Sequence, residues 1–168
     1  MKYEAVLFDL DGTLVNSIED IANAFNKALS AIGYPEADKE IIKIHTGAPL
    51  KTRLMAALPK DHNDESIFPV FRDHFRRELR SNGINNTLPY EGIIDMLKEL
   101  KRQGLKIGIL SNKIDDLTKD IASKLFYGIE FNVVRGMVPG IPEKPDPEVP
   151  RLISEELGVP LDKIIYVG

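Results

Sequence analysis

The sequence predicts an α/β protein: a doubly wound, mostly parallel sheet with a helical domain inserted behind its first strand. Three observations carry that expectation. The apolar run Ala5-Val6-Leu7-Phe8 ends abruptly in Asp9-Leu10-Asp11-Gly12, the pattern of a strand buried on both faces and closed by a turn. Similar runs, Leu105-Lys106-Ile107-Gly108-Ile109-Leu110 and Lys163-Ile164-Ile165-Tyr166-Val167, recur in the second half, alternating with helical periodicity. Between 17 and 87 no strand pattern occurs, so about seventy residues of helix interrupt the α/β alternation. The expected division is a core of residues 1–15 and 86–168 and a helical insertion over 16–85.

The first helix follows from Ile18, Ile21, Ala22, Phe25, Ala28, Leu29 and Ile32 at helical spacing, with Ser17 placed to cap its start and Gly33 its end. Further helices are predicted over 36–45, 49–58 and 66–81. The last carries Ile67, Phe71, Phe75 and Leu79 on one face, which puts Pro69 in its first turn. A helix over 90–103, with Ile93, Met96, Leu97 and Leu100 facing inward, ends at Gly104 ahead of the strand at 105–110. A helix follows over 115–125, built on Leu117, Ile121 and Leu125; then come a short strand at 131–134, a helix at 148–157 and a last buried strand at 163–167. Five of the eleven prolines fall in 136–150, but the eighteen residues beyond cannot form another domain. The stretch therefore reads as a structured loop at the working end of the sheet, not as a linker.

Composition narrows the function. A chain of 168 residues can bury roughly two-thirds of its unfolded surface in a real core. With 43% hydrophobic and 29% charged residues it has the make-up of a soluble globular protein. No apolar run is long enough to span a bilayer, and Met1-Lys2-Tyr3-Glu4 carries no secretory signal. The absence of cysteine excludes disulfide and thiolate chemistry and suits a cytoplasmic setting. A net charge of −4 gives no reason to expect a nucleic-acid partner.

Ligands of parallel α/β sheets gather outside the carboxyl ends of the strands, where Asp9 and Asp11 fall. Two carboxylates so close repel unless a cation lies between them or one holds a proton. Either arrangement is useful: one could attack an electrophile and form an acyl phosphate while the other protonates the leaving oxygen. An Asp-rich turn capping the following helix is the competing reading. Ser111 and Asn112 stand at the next strand end, where a hydroxyl and helix-start N–H groups can hold phosphate oxygens; an ordinary cap would use the same residues. Lys144, in Glu143-Lys144-Pro145-Asp146-Pro147, could neutralise a phosphate from the rigid loop or simply be a surface lysine. His45, His62 and His74 have no metal-ligand spacing and receive no role.

Taken whole, Asp9-Leu10-Asp11-Gly12-Thr13-Leu14-Val15-Asn16-Ser17 after an apolar strand resembles the first motif of the haloacid dehalogenase-like hydrolases, in their phosphoglycolate phosphatase-like branch. Ile109-Leu110-Ser111-Asn112-Lys113 resembles their second motif and Lys144-Pro145-Asp146-Pro147 their third. The resemblance implies a Rossmann-like core with the first strand central between those at 105–110 and 163–167, and a helical cap hinged near Asn16 and Asn85-Asn86. It implies Asp9 as nucleophile and Asp11 as general acid and base. Gly12, Thr13, Ser111, Asn112 and Lys144 would bind the phosphoryl group, and Mg²⁺ would be held by the Asp9 carboxylate and the Asp11 backbone carbonyl. The second Asp argues against a true dehalogenase, which has no leaving alkoxide to protonate.

The activity so implied is Mg²⁺-dependent hydrolysis of a small phosphomonoester, phosphoglycolate first, through an aspartyl-phosphate. A phosphosugar mutase of the same family is the alternative enzyme. Lys51 and Arg53 read as a solvated charged face, with contact to the anionic tail of a substrate as the alternative the resemblance offers. The family's acidic fourth motif would follow Gly168, where the sequence stops. A non-catalytic phosphate-binding form is therefore a further alternative for these 168 residues, and self-association through the apolar strand 163–167 is expected.

Overall fold

The computed structural model describes residues 2–59, 64–82 and 84–168; His62 lies outside them. The chain divides into two compact units, Met1–Asn16 with Leu88–Gly168, and Ser17–Thr87.

The first is the α/β unit. Strand β1 (Ala5–Phe8) is flanked in parallel by β4 (Lys106–Ile114) and β6 (Ile164–Val167), Phe8 standing opposite Ile109 on one side and Val167 on the other. With β5 (Val133–Met137) outside β4, the order is β5-β4-β1-β6. The chain winds outward from β1 to β4 and β5, then returns across the sheet to β6. The connections through α6 (Asp115–Leu125) and α7 (Glu148–Leu157) run in opposite directions across the sheet, which with crossovers of the usual right hand puts the two helices on opposite faces. The fold is thus the doubly wound one expected, and the loop after β1 opens beside the point where the winding reverses, the ligand position of such sheets. Val149, Ile153 and Leu157 of α7 close with Ala5, Leu7, Leu110 and Val133 into a buried cluster. α5 (Ile93–Arg102) buries Leu97, whereas Ile93, Met96 and Leu100 are only half-buried.

The second unit is helical: α1 (Ile18–Ala31), α2 (Lys39–Ile44), α3 (Leu50–Ala57) and α4 (Phe68–Asn82), with no strand among its described residues. α1 and α4 share an aromatic core in which the ring of Phe25 meets Phe71 edge-on at 4.8 Å and Phe71 stacks on Phe75 at 5.9 Å. Gly33 ends α1 with φ +80°, and the N–H groups of Gly33 and Tyr34 close on the carbonyls of Ser30 and Leu29. Asp20, in the first turn of α1, is buried and accepts hydrogen bonds from Asn86 N–H (2.9 Å), Asn86 Nδ2 (2.9 Å) and the Thr87 hydroxyl (2.6 Å).

Several expectations need correction. Ser17 occupies the cap position of α1 without a side-chain cap bond, because its ψ of 7° keeps the backbone half-wound where a capping residue is extended. The strand expected to stop at residue 110 runs to Ile114, with its β5 register shifting between Leu110 and Ile114. Ser111 and Asn112 therefore lie in a strand, and the helix behind them starts only at Asp115. β6 is not a buried strand: it pairs with β1 on one side, Tyr166 is 47% exposed, and Lys163 belongs to a preceding 3₁₀ turn. Arg53 is not on a solvated face but buried, its Nε donating to the His45 carbonyl at 3.2 Å. Lys51 is exposed and paired with Glu65 at 2.6 Å. A two-residue ladder, β2 (Val15–Asn16) against β3 (Leu88–Pro89), was not expected.

Candidate active site

β1 is short because its apolar run stops at Phe8, and the chain leaves it in a tight loop. The Leu10 carbonyl accepts from the N–H groups of Thr13 (3.2 Å), Leu14 (3.0 Å) and Val15 (3.1 Å), and Gly12 N–H donates to Val15 at 2.9 Å. Gly12 has φ +83°, a conformation costly for any residue with a Cβ. The Asp9 carboxylate is steadied by Leu10 N–H at 2.7 Å, and Asp9 N–H donates to the Val167 carbonyl at 2.8 Å. Gly12 and Thr13 belong to the loop through these backbone bonds.

Each carboxylate faces a lysine from a different segment. Lys144 Nζ lies 3.0 Å from Asp9 Oδ1 and also donates to the Leu110 carbonyl (3.0 Å) and the Tyr166 hydroxyl (2.6 Å). Three partners match the three donors of an ammonium group. Lys113 Nζ lies 3.1 and 3.2 Å from the two oxygens of Asp11. The side chains of this second pair are only 3% and 12% exposed. Charges so shielded from water attract more strongly than a surface pair would.

Asn112 ties the loop of Lys144 to β4 in both directions. Its Oδ1 accepts from Lys144 N–H at 2.9 Å and its Nδ2 donates to the Lys144 carbonyl at 3.0 Å. The Ser111 hydroxyl accepts from Lys113 N–H at 3.1 Å. The structure thus links Asp9, Asn112 and Lys144 in one network and Asp11, Ser111 and Lys113 in another.

Sequence reasoning missed Lys113 and Tyr166. Ile109, Ser111 and Lys113 alternate along β4, so a strand continued past residue 110 would have put a lysine on a buried face in need of an anion. Burial raises the Tyr166 phenol above its usual pKa; the Asp9 charge adds to this, while the hydrogen bond and charge of Lys144 oppose it.

As oxygen donors, Asp9 and Asp11 suit a hard cation such as Mg²⁺. No group of three or more His, Cys, Asp or Glu gathers among the described residues. Mg²⁺ does not require one, because it commonly takes one or two carboxylates, keeps waters, and shares a substrate phosphate.

Residues 6–168 match the haloacid dehalogenase-like hydrolase family. The chain belongs to that family. It is 34% identical to the phosphoglycolate phosphatase of Aquifex aeolicus over 97% of its own length and 74% of that protein's. It is 30% identical to the phosphoglycolate phosphatase of Pseudomonas syringae, again over 97% of its own length but only 61% of that protein's. The structure superposes on a haloacid dehalogenase-like family hydrolase from Streptococcus pneumoniae with a TM-score of 0.85 at 27% identity, covering 99% of this chain and 76% of that one. Within the family it stands in the phosphoglycolate phosphatase-like branch. Among the described residues no helix is long and apolar enough to cross a membrane.

Proposed function

We propose that this protein hydrolyses a small phosphomonoester, phosphoglycolate first, through an aspartyl-phosphate on Asp9. The coarser class, phosphoric monoester hydrolase, is that of its family branch. The observation that carries the proposal is the pair of carboxylates two positions apart beyond β1, each facing a lysine from another segment: Asp9 with Lys144 and Asp11 with Lys113.

In the first step a carboxylate oxygen of Asp9 attacks phosphorus while the P–O bond to the substrate alcohol breaks, and protonated Asp11 delivers its proton to the departing oxygen. In the second, a water oxygen adds to phosphorus and the acyl phosphate bond breaks. Asp11, now a carboxylate, takes the water's proton, inorganic phosphate leaves, and Asp9 is restored. Lys144 is poised to exchange one of its three partners for a phosphoryl oxygen, holding charge where it develops. Ser111 and Asn112 complete the cradle, Asn112 by fixing the backbone of Lys144. The Asp9 carboxylate and the Asp11 backbone carbonyl would hold Mg²⁺, which would add neutralisation of the phosphoryl charge.

The test is a panel of phosphomonoesters assayed with wild type and Asp9→Asn. Phosphoglycolate should be turned over fastest, and the variant should lose about four or more orders of magnitude. Near-normal turnover by Asp9→Asn would refute the nucleophile. Preference for returning the phosphoryl group to a sugar phosphate would refute the hydrolase.

A further inference from the structure

No step of the scheme above uses Lys113, yet its side chain is buried against Asp11. Its ammonium group is buried and reaches both oxygens of Asp11. Among the described residues Asp11 is its one acceptor. The backbone beneath is fixed from three sides. Its N–H donates to the Ser111 hydroxyl at 3.1 Å, its carbonyl accepts from the Thr118 hydroxyl at 3.3 Å, and Gly136 approaches so closely that a Cβ there would stand 2.5 Å from the same carbonyl. An ammonium group taken from water is costly unless its partner is well placed. Here the partner is the carboxyl that the proposed reaction needs in one orientation.

We propose that Lys113 is the positioning residue for Asp11. It fixes the carboxyl in line with the oxygen that leaves and later with the water that attacks. The inference rests on the phosphatase reading. Proton delivery works only within hydrogen-bond reach of the reacting oxygen, and a short side chain turning freely about two bonds would spend much of its time elsewhere. Lys113 acts through Asp11 and touches no substrate, because its ammonium is shielded and already engaged. It thereby differs from Lys144, whose ammonium faces Asp9.

Leaving-group chemistry separates this role from a structural one. Alkoxide departure from phosphoglycolate needs a proton; p-nitrophenolate leaves without one. kcat/KM reports events up to phosphorylation of Asp9, so Lys113→Met should lower it about 10²-fold for phosphoglycolate and less than about threefold for p-nitrophenyl phosphate. Joined to Asp11→Asn, which removes the group being positioned, the same substitution should add little further loss. Should the apolar variant not fold, Lys113→Gln keeps a donor without the charge, and partial recovery on phosphoglycolate alone is expected. Equal losses on both substrates, or fully additive losses with Asp11→Asn, would overturn the role while leaving the phosphatase reading intact. A wild-type protein that hydrolyses neither compound would overturn both.

Discussion

Asp20 offers a stability test whose size can be worked out from the structure. Asp20→Ala removes an acceptor serving three donors, and their surroundings differ. Thr87 is 2% exposed, so its hydroxyl is stranded, at a cost of about 1–3 kcal/mol. Asn86 is exposed, so its two N–H donors return to water and each loses only about 0.5–1 kcal/mol. Loss of a negative charge from the first turn of α1 adds about 0.3–1 kcal/mol. The sum, about 2–6 kcal/mol, should lower the melting temperature by about 5–20 °C in a protein of this size. Urea unfolding of wild type, Asp20→Ala, Thr87→Val and the double variant is the assay. Because the stranded hydroxyl is the largest cost, Thr87→Val should recover about 1 kcal/mol in the Asp20→Ala background and be destabilising in the wild type. A loss under about 1 kcal/mol for Asp20→Ala, or strict additivity of the pair, would refute the reasoning.

Gly136→Ala should cost at least about 1–3 kcal/mol in the same assay, since its Cβ would stand 2.5–2.6 Å from Lys113 O, Asp115 Cα and Thr118 Oγ1, none at the end of a flexible chain. Asn112→Ala should lower turnover about 10²-fold with little change in melting temperature, because it unties the backbone of Lys144; unchanged kinetics would exclude that tether. Burial acts to raise the pKa of Asp115, but the hydrogen bonds from Lys119 and Gly136 N–H, with the charges of Lys119 and Arg135, outweigh it and hold the carboxyl below its ordinary range. Its stabilising contribution is therefore full above the unfolded carboxyl range and lost as pH falls through the lower folded value. Asp115→Asn should destabilise at neutral pH and make no difference in strong acid; a gap persisting in acid would show that the charge is not the cause.

Much of this was legible in the sequence because the signals were local. The buried strands at 5–8 and 106–110 announce themselves as apolar runs, and α1 and α4 by periodic apolar residues that do form their shared core. α7 begins at Glu148 despite Pro150, since a proline in the first turn forfeits no helical bond. What was missed depends on contacts distant in sequence. The β2–β3 ladder joins residues some seventy apart and has no local pattern. Lys113 reads as part of the link between a strand and a helix until Asp11, 102 residues earlier, is brought beside it. Ser17 has the right residue type for a cap but the wrong ψ, which only packing decides. The last strand was expected beside the first, as it is, but no local pattern shows that the Tyr166 hydroxyl meets Lys144 from the loop after β5.

The break in the β4–β5 ladder has a consequence for how this protein tolerates change. Through Leu110, opposite Arg135, the two strands pair in regular register; pairing resumes only at Ile114, opposite Met137. Of the three residues between, Asn112 reaches the loop of Lys144, Lys113 reaches the Asp11 carboxylate, and the Ser111 hydroxyl accepts from Lys113 N–H. Their side chains can vary without unzipping the sheet, because that ladder is spliced around them. Randomising 111–113 should therefore leave the β4–β5 ladder paired in more members, differing widely in activity, although the burial of Ser111 and Lys113 narrows what those two positions accept. The same number of changes over 107–109 should yield members that mostly do not fold. One strand thus holds adjacent stretches open to different kinds of selection, and anyone reshaping the activity would begin with the interrupted one.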